Sequence, residues 1–372
     1  MSFRTMLPIH RWAALTIGLL ALVSAFTGLG MIFRKQLDPI IYPRAVRSSC
    51  QAPVPLDTLL AAAQKAHPKG KVDYLRILRD ARQPAEIRWM NKDTLFVDRC
   101  SSKIVAEQNR YAGIFGIMEW IHRGRWLPEP AGDYLMGTSA LNLLFILLGF
   151  GFYLWWPRKK QRLRDNFKLN TKLRKGPAFD MGLHRTIGGW IALPLAVSAV
   201  TALPNAFPVV RNALAAIGSH AGRAKVPVTD SGPLLPLSAV WRIIEELTPN
   251  PREVLIHIAH KPADPFEIYV IAADAPHANA RTYLYLNSHD GSVIKFTPYA
   301  DMGAGDKVYY WMLSIHTGEV GGLFGQTILA LGATGALILG FTGLRTWFRR
   351  RANRKRSRAS AGSPISTRPS SA

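Results

Sequence analysis

The chain has 372 residues, 47 basic and 24 acidic side chains and a formal charge of +23. Its mean hydropathy is near neutral, yet its apolar residues are gathered into four long runs, which excludes an ordinary soluble domain. The basic residues cluster beside those runs, which excludes nucleic acid as the partner that the charge would otherwise suggest.

The four runs are Ala13–Phe33, Tyr134–Pro157, Thr186–Val210 and Val320–Leu344, and none contains Asp, Glu, Lys, Arg or His. Each is long enough to cross a hydrocarbon core, which needs about 20 apolar residues. Residues 1–33 thus read as a cytoplasmic N-terminus and first span, 34–133 as an outside module, and 134–157 as a second span. A basic loop (158–185), a third span (186–210), a second outside module (211–319), a fourth span (320–344) and a basic tail (345–372) follow. The segment before the first span, the loop through Arg185 and the tail carry +2, +8 and +9 of the formal charge. All three lie on one face of the membrane, and the positive-inside rule makes that face cytoplasmic, with both termini inside. The tail ends in Ser, Ala and Pro, a composition that predicts disorder. Membrane lipid is therefore one expected partner.

In the first outside module, Leu56–His67 reads as a helix and Ala85–Met90 and Thr94–Arg99 as strands. The only cysteines, Cys50 and Cys100, fall here, and an oxidising compartment predicts a structural disulfide between them. In the second module, Leu237–Leu247 reads as a helix. Strands follow at Glu253–Ala259, Phe266–Ala272 and Arg281–Asn287, with a turn at His289-Asp290-Gly291. Each module reads as a small α+β unit.

An internal repeat organises the chain. At an offset of 174 residues, His10, Arg11, Val23, Ser24, Ala25 and Thr27 meet His184, Arg185, Val197, Ser198, Ala199 and Thr201. Leu148, Gly149, Phe150 and Trp156 meet Leu339, Gly340, Phe341 and Trp347. Two crossings per unit make the repeats parallel, related by an axis along the membrane normal. The repeat also argues against signal-peptide cleavage after Ala25, since the matching third span stays in the membrane. Three prolines in that span, Pro194, Pro204 and Pro208, predict a kink.

Four of the ten histidines sit at span edges: His10 and His184 at the cytoplasmic face, His122 and His316 at the outside face. Histidines from two helices can clamp a porphyrin between them. His10 with His184, and His122 with His316, are the candidate ligand pairs for two haems. Arg11, Arg123 and Arg185 follow three of the four and are candidate propionate partners. His257, His260, His277 and His289 have no specific metal-ligand spacing and read as surface or strand residues. No phosphate-cradling loop, nucleotide fingerprint or nucleophile–base arrangement is present.

These residues resemble the PepSY-associated transmembrane family of bacterial inner-membrane proteins. The resemblance rests on His10-Arg11-Trp12, Thr27-Gly28, Phe33-Arg34, Trp155-Trp156-Pro157-Arg158 and Leu183-His184-Arg185. It extends to Gly188, Trp190, Ile315-His316-Thr317-Gly318, Thr342-Gly343 and Trp347. The family includes iron-regulated proteins and haem-containing ferrisiderophore reductases of the FoxB type. The resemblance implies two b haems passing electrons, from a quinol or a cytoplasmic reductase, to a ferric siderophore or other ferric chelate outside. The expected architecture is a membrane all-α four-helix bundle of two parallel repeats with two small periplasmic α+β PepSY-like modules. A membrane-anchored PepSY module that only binds, and a siderophore transporter, are the alternatives.

Overall fold

A break in the first apolar run sets the character of the helical part. In the computed structural model, α1 (Phe3–Leu15) and α2 (Gly18–Ile32) meet at a bend of 53°. Thr16 turns its hydroxyl back onto the Trp12 carbonyl at 2.8 Å. The next two backbone bonds tighten to three-residue spacing, Leu19 N to Thr16 O and Leu20 N to Ile17 O. Such back-bonding bends helices, and Gly18 immediately after it offers little resistance. The described residues are 3–43, 52–80, 82–157, 162–170, 172, 175–218, 228, 232–261 and 263–361. The end of the basic tail, where composition predicts disorder, lies outside them.

The remaining elements follow in chain order. They are α3 (Arg34–Ile41), α4 (Leu56–Ala66), β1 (Val72–Leu78), β2 (Ala85–Trp89), β3 (Asp93–Val97), β4 (Ile104–Asn109) and α5 (Gly113–His122). Next, α6 (Ala131–Leu141) runs through a π-helical stretch (Asn142–Phe150) into α7 (Gly151–Trp155). Helices α8 (Pro177–Ala206), α9 (Pro208–Ala216) and α10 (Leu237–Leu247) come before β5 (Glu253–His257), β6 (Phe266–Ile271), β7 (Arg281–Leu286) and β8 (Val293–Thr297). Last come α11 (Ala304–His316) and α12 (Gly322–Ala361).

The expected all-α four-helix bundle with two small modules is corrected on two counts. Among the described residues, three helices are long and apolar enough to span a membrane: Ala131–Trp155, Pro177–Ala206 and Gly322–Asn353. The bent α1–α2 pair reaches that length only if both parts are counted as one span. Moreover, the strands do not form two modules. They build one eight-stranded antiparallel sheet in the order β4-β3-β2-β1-β5-β6-β7-β8. Three strands absent from the sequence reading, β1, β4 and β8, complete it. The third run also stops early, because Pro208 cannot continue α8 and instead opens α9.

The chain divides into two units. The first comprises Met1–Phe26, Thr138–Val200 and Leu329–Ala372. Its apolar centre is Ile191, Leu195 and Ala336, with Ala25, Leu148, Ile187 and Leu339 packed against them. Gly340 allows Leu22 to approach so closely that an added Cβ would lie 2.5 Å from it. Buried Asp180 accepts from Arg349 at 2.6 Å and faces Arg345 at 3.5 Å, tying α8 to α12.

The second unit comprises Thr27–Gly137 and Thr201–Ile328 and holds the whole sheet. The two half-sheets join where β1 pairs with β5, in the register Leu75↔Ile256 and Ile77↔Val254. Both α4 and α10 lay apolar residues on one sheet face at three- and four-residue spacing: Leu56, Leu59 and Ala63, then Leu237, Val240 and Ile244. These meet Leu75, Ile87, Leu95, Val254, Ile256, Ile268 and Leu284 in a single core. On the opposite face, Arg76 donates from Nε and Nη2 to Glu253 at 2.8 and 2.9 Å, and from Nη1 to Glu86. One guanidinium thus ties both half-sheets together.

Asp57 of α4 also bridges the halves, accepting the Leu237 and Ser238 N–H groups at 2.7 and 3.0 Å at the start of α10. Burial alone would raise its pKa, but the hydrogen bonds from Ser238 and Leu237 hold it below the ordinary value. A depressed carboxylate stabilises above its unfolded pKa and loses that contribution as the pH falls through its folded one. Asp57→Ala should therefore cost about 1 kcal/mol at neutral pH. Thermal unfolding should show that deficit shrinking below about pH 4. Ile256→Ala, at the seam with no exposed surface, should cost about 2–5 kcal/mol by the same measurement.

Candidate functional site

Each unit brings two of the four edge histidines together. In the first, His10 of α1 and His184 of α8 stand with ring centroids 6.5 Å apart and planes at 87°. In the second, His122 and His316 stand 6.3 Å apart with planes at 47°. The latter two are the last residues of α5 and α11. Both helices stop there because the chain turns left-handed two residues on, at Gly124 (φ +64) and Gly318 (φ +73).

Three of the four rings are held by a threonine on a neighbouring helix. Thr342 Oγ1 lies 3.0 Å from His184 Nδ1, Thr27 Oγ1 lies 3.1 Å from His122 Nδ1, and Thr201 Oγ1 lies 3.4 Å from His316 Nδ1. For His184 the direction follows from proton counting. The Thr342 hydroxyl donates its one proton to the Ile338 carbonyl at 2.8 Å, so it accepts from Nδ1–H. That donor pattern assigns the proton to Nδ1 and makes Nε2 the ring's acceptor nitrogen. Glycines lie against the ring edges. A Cβ on Gly28 would come within 3.3 Å of His122 Cε1, and one on Gly343 within 3.7 Å of His184 Cε1.

His10 departs from this pattern. In the repeat, Gly151 occupies the place of Thr342, and a Cβ there would meet His10 Cε1 at 3.3 Å. The buried His10 Nδ1 makes no hydrogen bond of good geometry, although the Ile146 and Leu147 carbonyls of the π-helical stretch lie near it.

The fit of each pair to a shared iron can be tested by length. A metal–imidazole bond is about 2.0–2.1 Å and the ring centre lies roughly 1.2 Å behind the nitrogen, so two opposed ligands place their ring centres about 6.4–6.6 Å apart. The observed centroid separations, 6.5 and 6.3 Å, match that span in length, with the ring planes at 87° and 47°. Such a centre needs only two protein ligands. Among the described residues, no group of three or more His, Cys, Asp or Glu side chains is arranged for a metal ion.

The arginines beside these histidines are less uniform. Arg11 is half-buried on α1 and Arg185 is exposed on α8. Arg123 faces Glu119 at 3.7 Å. Cys100 is disulfide-bonded; the other cysteine of the chain, Cys50, lies outside the described residues.

The sheet histidines are dispersed. His257 Nδ1 lies 3.3 Å from Asp73, and His289 Nδ1 donates to the Pro233 carbonyl at 3.2 Å. His277, read from sequence as a surface or strand residue, is instead buried under α11. Its Nδ1 accepts from the Asn279 N–H at 3.2 Å and from the Ser314 hydroxyl at 2.9 Å, so Nε2–H donates to the Tyr299 hydroxyl at 2.9 Å. Burial first, and then Arg252, lower its pKa, so it stays neutral. The ring anchors α11 two residues before His316. Sequence reasoning also missed the three threonine partners. Thr27 and Thr201 coincide in the repeat, but nothing in it told a ring partner from a packing residue.

No curated protein gives a significant match to the chain. The sequence profile described as the PepSY-associated TM region matches residues 7–350. That match takes in all four histidines, their three threonine partners and the entire sheet, and the chain belongs to the PepSY-associated TM family.

Proposed function

We propose that this membrane protein is a di-haem reductase of the bacterial inner membrane, passing electrons to a periplasmic Fe(III) chelate such as a ferric siderophore. The observation that carries the reading is the pair of imidazole–imidazole separations, 6.5 and 6.3 Å, each made from one histidine of each repeat. His10 and His184 are the ligands of one b haem, and His122 and His316 those of the other. A haem held by two imidazoles supplies reversible one-electron transfer.

The chain's own residues supply orientation and enclosure. Thr342 holds the His184 proton on Nδ1 and presents Nε2; Thr27 and Thr201 steady the other two rings. Gly28, Gly151 and Gly343 leave room at the ring edges. Arg11, Arg123 and Arg185 are the propionate partners in this reading. The charge bias of the basic segments supports a cytoplasmic side for His10 and His184, with a quinol or a cytoplasmic reductase as donor, and a periplasmic side for the sheet. Fe(III) bound by hard oxygen ligands is released more readily once reduced, because such ligands hold Fe(II) more weakly. The apolar runs lack ionisable residues, which disfavours ion-coupled transport.

The reading is tested by an absorption spectrum of the detergent-purified protein, oxidised and dithionite-reduced, with haem per chain by pyridine haemochrome. Two b haems are expected, falling to one in His10→Ala or in His122→Ala. A protein that stays colourless after haem supplementation rejects the reductase and leaves a membrane-anchored binding module. Thr342→Val keeps the side-chain shape but leaves the His184 Nδ1–H without its acceptor. Haem affinity at the His10–His184 pair should drop about 10–100-fold, with the other pair unaffected; competition with apomyoglobin measures both.

A further inference from the structure

The His122–His316 pair is flanked on the α5 side by a charge cluster that, among the described residues, the matching positions around His316 do not reproduce. Glu119 sits one turn before His122 on the same face of α5. Around it gather three arginines. Arg34 donates from Nη1 to Oε2 at 3.0 Å, Arg110 donates from Nε and Nη2 to Oε1 at 3.1 and 2.5 Å, and Arg123 Nη1 stands 3.7 Å from Oε1. One carboxylate therefore faces three guanidinium groups, and two positive charges are left over.

The exposures differ in a telling way. The Glu119 side chain is 13% exposed, whereas those of Arg34, Arg110 and Arg123 are 40%, 32% and 41% exposed. The anion is enclosed and the cations open outward. Burial would raise the pKa of Glu119, but Arg110 and Arg34 outweigh it and keep the carboxylate ionised. Two of the guanidinium groups are oriented by rings, Arg34 over Phe115 at 5.9 Å and Arg110 over Tyr111 at 5.6 Å. Arg34 spends only one of its five N–H donors on Glu119. At 3.7 Å, Arg123 is paired by charge but spends none.

Scaffold duty does not account for the cluster. In the other repeat, the residues three before and one after His316 are Leu313 and Thr317, and α11 is held by the His277–Ser314–Asn279 network, which reaches Glu319 and, among the described residues, its single partner lysine, Lys35. Equivalent helices in equivalent places are thus secured without any arginine cluster.

We propose that Arg34, Arg110 and Arg123, gathered on Glu119 beside His122, form a binding site for the carboxylates of a polyanionic ligand. Guanidinium forks match carboxylates in shape and charge, two donors to two oxygens. Two sources share this chemistry: the propionates of a haem at His122–His316, and the carboxylates of a ferric polycarboxylate chelate reaching that pair. The proposal rests on the di-haem reading for its place in a reaction, but its carboxylate chemistry is tested apart from that reading.

The test uses full-length protein in detergent and two measurements. The first is calorimetric binding of gallium(III) citrate, a redox-inert stand-in for a ferric polycarboxylate. The second is haem content and the rate of haem loss to apomyoglobin. Arg34→Gln and Arg123→Gln remove half-exposed charges, and Lys103→Gln is the surface control. If the chelate is the source, gallium citrate binds, and each arginine variant weakens it at least tenfold while the control does not. Should the propionates be the source, gallium citrate does not bind and each arginine variant speeds haem loss at least tenfold. Glu119→Gln removes the one competing anion and should tighten the same ligand, an effect that a merely structural role does not produce. Unchanged citrate binding and unchanged haem loss across the folded variants would overturn the site. A colourless protein would reject the di-haem reading, and gallium citrate would then decide the site alone: arginine-dependent binding upholds it, and no binding ends it.

Discussion

Strand β1 lies against β5 with Leu75 opposite Ile256, residues 181 positions apart in the chain. Everything in the sheet-bearing unit depends on that pairing. Left apart, each four-stranded half would present an unpaired inner edge, a row of backbone donors and acceptors open to wrong partners. Joined, the halves share one core under α4 and α10, and Arg76 spans the seam on the other face. The seam also sets the chemistry. Strand β4 leads through a few residues into α5, and β8 leads through a short turn into α11. Fixing the two half-sheets therefore fixes where those helices end, and both end on a histidine.

Placing an imidazole is only half of making it a ligand; its proton must also be assigned. A threonine on a neighbouring helix does this with a single hydroxyl. Its own proton is absorbed one turn back along its helix, as Thr342 does on Ile338, and the oxygen then has only acceptor capacity to offer the ring. The arrangement needs no charge, so it suits an apolar surrounding where an ionised partner would be costly to desolvate. The Gly151 position offers His10 no such hydroxyl. There the π-helical stretch brings backbone carbonyls near His10, a frequent use of such stretches at functional sites.

Much of this was legible in the amino-acid order, for identifiable reasons. The apolar runs, the charge bias and the repeated His-Arg pairs are local patterns, and Leu237–Leu247 shows the helical period so clearly that its limits could be read directly. The β1–β5 pairing was not legible. Val72–Leu78 breaks its alternation at a register shift and does not read as a strand, and the alternation of Glu253–His257 marks a sheet face without telling which edge it meets; that pairing turned two supposed modules into one sheet. The break at Thr16–Ile17 escaped for a different reason. Hydropathy measures the affinity of a run for lipid, whereas the bend comes from one hydroxyl competing for one carbonyl. The ring partners were hidden because a threonine that fixes a proton and one that fills space look alike in sequence.

The two repeats agree in their histidine pairs and differ in what surrounds them. Helices α5 and α11 both point their C-terminal ends at the His122–His316 pair, and helix C-termini carry partial negative charge that favours cations. On the α11 side that end is met by Ser314, Asn279 and a neutral His277, with one ion pair, Lys35–Glu319, beside them. On the α5 side it is met by three arginines sharing one partly buried glutamate. Three guanidinium groups would repel one another if crowded alone. Glu119 neutralises one of those charges, while the Phe115 and Tyr111 rings orient Arg34 and Arg110 and the C-terminal end of α5 lowers the remaining cost. What survives is an excess of positive charge turned outward on one side of a nearly symmetric pair. A symmetric scaffold can bring two imidazoles together, but it cannot tell an approaching ligand which side to take; the arginines at the start of α3, just past the end of α5 and in the turn between β4 and α5 supply that distinction.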